Sequence, residues 1–114
     1  MVLVCLEKNK QYKKQTNIIM FQRIHCKVMG RVQGVCFRAY TCQEAKKYHL
    51  TGWVKNNHDA SVELVAEGDA VALQQLIAWL HVGPQMAKVE TVDVLWETAT
   101  GAYIDFKTAY GERM

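Results

Sequence analysis

Arg23-Ile24-His25-Cys26-Lys27-Val28-Met29-Gly30-Arg31-Val32-Gln33-Gly34-Val35-Cys36-Phe37-Arg38 decides how the rest of the chain is read. Its first seven residues alternate. Ile24, Cys26 and Val28 fall on one side, His25 and Lys27 on the other, as in a strand with one buried face. Gly30 and Gly34 then break the pattern, so residues 30–37 read as a loop. From Arg38 to Leu50 the period changes. Phe37, Tyr40, Thr41, Ala45 and Tyr48 recur at helical spacing with charges between them. The stretch is therefore a strand, a glycine-containing loop and a helix in immediate succession.

Working outward, residues 52–56 read as a second strand, and Asn57-His58-Asp59-Ala60 is a turn-forming cluster. Val62, Leu64 and Ala66 alternate through a third strand, which makes a hairpin with the second. Gly68-Asp69 offers a helix start with Asp69 as cap. Val71, Leu73, Leu76, Ile77 and Leu80 predict an amphipathic helix, stopped by Gly83-Pro84. Val92, Val94 and Trp96 mark a fourth strand, and Ile104 and Phe106 a short last one. The order is βαββαβ plus a short C-terminal strand. Two strand–helix–strand units joined by a hairpin place both helices on one face of an antiparallel sheet. That is the α+β, ferredoxin-like sandwich. The plan does not name a function, because many binding modules share it.

The chemistry lies in the loop. It runs from a strand end into a helix N-terminus, where amide hydrogens lack intrahelical partners and the helix dipole is positive. Glycines allow successive amides to turn toward one centre, an anion nest. Arg38 at the helix start adds a two-pronged donor for phosphate oxygens. A tight strand–helix connection with no ligand gives the same local pattern, so the residues alone leave both readings open.

Composition narrows the classes. The chain has 114 residues, half of them hydrophobic, which sets one domain able to bury a core without a metal or disulfide staple. Lys8, Lys10, Lys13 and Lys14 against Glu7 account for the whole net charge of +3, and Lys plus Arg equal Asp plus Glu in the rest. The chain is thus read as a basic, flexible N-terminal extension over residues 1–20 and a neutral domain over residues 21–114. Cys5, Cys26, Cys36 and Cys42 show no CxxC spacing and no His at a ligand offset, so no metal site is expected. Without an export signal the cysteines read as thiols of the cytoplasm. No segment is apolar enough to span a bilayer. His25, His49, His58 and His81 are scattered, and Trp53, Trp79 and Trp96 read as core or core-edge. An RNA-binding sheet is disfavoured, because the outward positions His25, Lys27, Glu63 and Glu67 offer no aromatic pair and include two acids.

The loop Gly30-Arg31-Val32-Gln33-Gly34-Val35-Cys36-Phe37-Arg38 resembles the phosphate-loop motif of acylphosphatases. Gly52-Trp53-Val54-Lys55-Asn56 resembles that family's second motif, and Val62, Gly68, Gly83-Pro84, Ala87 and Val89 fall at its offsets. The similarity covers about residues 21–108. The resemblance implies hydrolysis of the carboxyl–phosphate bond of acyl phosphates, with inorganic phosphate as product. It implies a phosphate held by Gln33, Gly34, Val35, Cys36, Phe37 and Arg38, and Arg38 and Asn56 as the catalytic pair, Asn56 orienting water. Without that motif Asn56 reads first as a hairpin-entry asparagine. No cofactor, no metal, no nucleic-acid or membrane partner and a monomeric state are expected. A non-catalytic anion-binding domain with the same loop is the competing class. Two departures from the pattern are visible. Cys36 stands where glycine is frequent, and Ala60 replaces the usual hairpin glycine; each is expected to cost about 1 kcal/mol or more if its φ is positive.

Overall fold

The structure is a computed structural model and describes residues 21–109. The expected extension over residues 1–20 and the end of the domain lie outside the described residues. The elements run β1 (Phe21–Arg31), α1 (Phe37–Lys47), β2 (Thr51–Asn56), β3 (Val62–Asp69), α2 (Ala70–Val82), β4 (Lys88–Glu97) and β5 (Phe106–Thr108). They form one five-stranded sheet in the order β4-β1-β3-β2-β5. The four long strands pair antiparallel. β5 joins the free edge of β2 in parallel, so the antiparallel expectation holds for the long strands only. The reason is connectivity: β4 and β5 occupy opposite edges, and the chain between them crosses the sheet before turning back along β2.

The alternation in β1 holds. Ile24, Cys26 and Val28 are buried with Val54, Val62, Leu64 and Ala66 on the face that receives both helices. Burial pushes the Cys26 thiol up to about 12, which leaves it an uncharged hydrophobe. From α1 the core takes Phe37, Thr41 and Ala45, and from α2 Leu73, Leu76 and Leu80. Tyr40 and Val71, expected on the inner faces, are exposed. Phe37, Thr41 and Ala45 in α1, and Ala70, Leu73, Leu76 and Leu80 in α2, already fill the inner stripe, and these two side chains fall beside it.

α1 ends earlier than the periodicity predicts. His49 takes a left-handed φ of 61°, Leu50 N–H donates to Ala45 O at 2.9 Å and His49 N–H to Lys46 O at 3.0 Å. These paired bonds are a Schellman stop built without glycine. Asp69 stands at the N-cap of α2 as expected, but its side chain makes no capping hydrogen bond. Ile104 lies outside the last strand, at a bend, and is exposed.

The helix-free face departs most from expectation. Glu67, read as outward, is only 1% exposed. The β4–β5 connection covers it. Thr100 donates to its carboxylate from N–H (2.9 Å) and hydroxyl (2.8 Å), Gly101 N–H donates at 2.9 Å, and Arg23 lies 3.6 Å away. Trp53 also belongs to this face. It meets His25 edge-on at 6.2 Å and its indole N–H donates to the Tyr103 hydroxyl at 3.3 Å.

Candidate active site

The loop between β1 and α1 comprises residues 32–36 and is pinned at both ends. Val32 and Phe37 are buried in the core, and the Phe37 ring meets Trp79 of α2 at 5.6 Å. Burying two such side chains contributes about 1.5–3 kcal/mol each, so the loop has little freedom to drift. Between the anchors Gly34 has φ 76° and Cys36 has φ 62°. A left-handed residue in a turn allows successive amides to face one side, the arrangement an anion nest requires. Cys36 is the N-cap of α1, with no side-chain capping bond and no acidic residue in the first turn. The first intrahelical-type bond is Tyr40 N–H to Cys36 O at 3.1 Å, so the amides before Tyr40 have no helical acceptor. The helix presents a positive end that none of its own side chains neutralises.

The loop borders a cleft of about 470 Å³. Gly34, Cys36, Phe37 and Arg38 line it, with Val32, Ala39, Asn56 and Thr108. Arg38, half-buried, is the one lining residue that carries a charge. Asn56, the last residue of β2, faces the helix side like Val54. Its Oδ1 is buried and has no hydrogen-bond partner among the described residues. Gly52 makes the approach of β2 to β3 possible. Its φ is 142°, and a Cβ there would lie 1.9 Å from Val65 O.

Six residues were expected to hold phosphate. Four of them line the cleft beside Asn56. Gln33 and Val35 do not. Val35 faces a separate depression with Tyr40 and Pro84. The Gln33 side chain turns away to the β2–β3 hairpin, donating to Asn57 O at 2.8 Å and Ser61 O at 2.9 Å. Thr108 was missed. It sits on β5 opposite Val54, and its hydroxyl is 3.5 Å from Cys42 Sγ. The alternation from buried Phe106 was the signal available for it. None of the histidines lines the cleft; His25 pairs with Glu63 at 2.5 Å on the far face. Among the described residues no group of three His, Cys, Asp or Glu is placed to hold a metal ion, and no helix is long and apolar enough to cross a membrane. A larger groove of about 860 Å³ along β2 and β5 contains neither Arg38 nor Asn56, so size does not choose the site here.

Fold and cleft define a ferredoxin-like domain that offers an anion one guanidinium and an open helix N-terminus. The family model for acylphosphatase matches residues 24–108. The acylphosphatase of Salinibacter ruber is 48% identical over 86 residues, covering 75% of this chain and 90% of that protein. That of Syntrophus aciditrophicus is 46% identical over 94 residues, covering 82% and 98%. Among solved structures, an acylphosphatase from Coxiella burnetii superposes with a TM-score of 0.76 at 39% identity, covering 82% of this chain and 97% of that one. The chain belongs to the acylphosphatase family, and it is a hydrolase of acyl phosphates.

Proposed function

We propose that the phosphoryl group is held by the main-chain N–H groups of residues 33–38 and by the Arg38 guanidinium, and that Asn56 orients the attacking water. The observation that carries this reading is the Asn56 Oδ1, a buried acceptor without a partner among the described residues, in the same cleft as Arg38 and the start of α1. A buried amide oxygen in that state is matched by a water hydrogen. The water oxygen, held in line, bonds to phosphorus as the P–O bond to the carboxyl oxygen breaks. The carboxylate leaves with the electron pair, and the water's proton passes to a phosphate oxygen. A carboxylate is a good leaving group, so the protein supplies placement and charge neutralisation rather than a strong acid or a covalent nucleophile. The helix end and Arg38 supply that charge without a metal.

Arg38, Asn56 and the loop lie in one domain, so the proposed chemistry calls on no second chain. The free thiols of Cys26, Cys36 and Cys42 support a reducing, cytoplasmic setting.

Replacing Arg38 tests the phosphate assignment. Arg38→Ala is expected to weaken competitive inhibition by inorganic phosphate and to reduce turnover together, at a cost of about 2–3 kcal/mol or more. Wild-type phosphate affinity in a folded variant would contradict it.

A further inference from the structure

We infer that Gln33 is a positioning residue, whose side chain holds Asn56 at a fixed place relative to the phosphate loop. The inference rests on the proposed role of Asn56. Gln33 sits in the loop one residue before Gly34, and its Nε2 donates to two main-chain carbonyls, Asn57 O at 2.8 Å and Ser61 O at 2.9 Å. Asn57 directly follows Asn56, and Ser61 precedes Val62, the residue paired with Asn56 across the hairpin. One primary amide therefore ties the loop to both sides of the strand end that carries Asn56.

The clamped hairpin is itself closed. Asn57 N–H donates to Ser61 O at 2.9 Å, and Asn57 Nδ2 donates to Ser61 Oγ at 3.0 Å. Ser61 donates to Asp59 Oδ1 from N–H at 3.0 Å and from its hydroxyl at 2.5 Å. Lys27 on β1 holds Asp59 at 2.8 Å. These bonds tie the hairpin turn together, and Gln33 connects it to the loop. The residue type suits the task. An NH2 group gives two donors diverging from one nitrogen, enough for both carbonyls. It is neutral, so it adds no charge that would hold phosphate away from the loop amides. Removing it leaves neither carbonyl orphaned, because Ser61 O still accepts from Asn57 N–H and Asn57 O from Ala60 N–H at 3.3 Å. The hairpin therefore stays folded, while the distance between loop and Asn56 is no longer fixed.

The test uses the full chain with acetyl phosphate as substrate and inorganic phosphate as competitive inhibitor. Gln33→Met keeps the side-chain length without the donors, and Gln33→Ala is the second variant. Either is expected to lower kcat by roughly tenfold, since small misplacements of a reacting group are costly. Phosphate inhibition should stay within about twofold, because the loop amides and Arg38 are intact. In an Asn56→Ala background the same substitution should change kcat by less than about twofold, the signature of two residues acting through one. Equal losses in both backgrounds, an unchanged kcat, or a parallel loss of phosphate affinity overturns the inference. Wild-type kcat in Asn56→Ala alone overturns instead the reading on which it rests.

Discussion

At the scale of single residues, the two departures from the family pattern are two of the three non-glycine positions with left-handed φ among the described residues, His49 being the third. Cys36 and Ala60 both adopt φ in the left-handed region, 62° and 75°. The two differ in consequence. Cys36 caps α1 and borders the cleft, whereas Ala60 sits at the tip of the β2–β3 hairpin away from it. A left-handed alanine gains nothing from a side-chain hydrogen bond, so its strain is uncompensated. Ala60→Gly is expected to raise stability by about 1 kcal/mol and to leave kcat unchanged, measured by urea unfolding and turnover. A destabilised variant would mean that the methyl group packs usefully in the turn.

Among the elements, β2 carries the most consequence in the fewest residues. Gly52 lets it lie against β3, Val54 enters the core, and Asn56 ends in the cleft. A Cβ at Gly52 would collide with main chain that cannot step aside. Gly52→Ala is therefore expected to cost more than about 3 kcal/mol, or to prevent folding, read by thermal unfolding. A variant of near wild-type melting temperature would show that β2 and β3 can separate locally. This strand also shows how much was legible beforehand. Alternation placed β1 and β3 and their inner faces, because burial on one side of a strand writes a period of two. The loop and Asn56 were legible through their motifs. Glu67 was misread because a strand's outer face is polar by default, and nothing in its own neighbourhood announces that residues 98–103 will fold back over it. Thr108 and the clamp made by Gln33 depend on contacts between elements far apart in sequence, which no local pattern records. Tyr40 and Val71 were misplaced because several apolar residues competed for a stripe that three or four others in each helix already fill.

For the molecule as a whole, the strap from β4 to β5 joins the two edges of the sheet, and Glu67 fastens it. Burial raises the Glu67 carboxyl, but the donors on Thr100 and Gly101 and the nearby Arg23 outweigh it and hold the group below the usual carboxylate range. A carboxyl so depressed adds stability that is present above its unfolded value, about 4.3, and is lost as pH falls through the folded one. Glu67→Gln is expected to cost about 2 kcal/mol at neutral pH, with the gap to wild type closing as the solution is acidified below about pH 4. A gap independent of pH would show that the charge plays no part. The strap matters for chemistry because it delivers β5, and with it Thr108, to the cleft, while the hairpin delivers Asn56 and the first loop delivers Arg38. The central claim is that these parts divide the work: loop and Arg38 hold phosphate, and Asn56 places water. Asn56→Ala separates the two jobs in one protein. Turnover of an acyl phosphate should fall roughly 100–1000-fold, the usual loss for a preorganised polar group acting in the transition state. Inhibition by inorganic phosphate should stay within about threefold, because the anion's donors are untouched. Near wild-type turnover in the folded variant, or a collapse of phosphate binding along with it, would contradict the account.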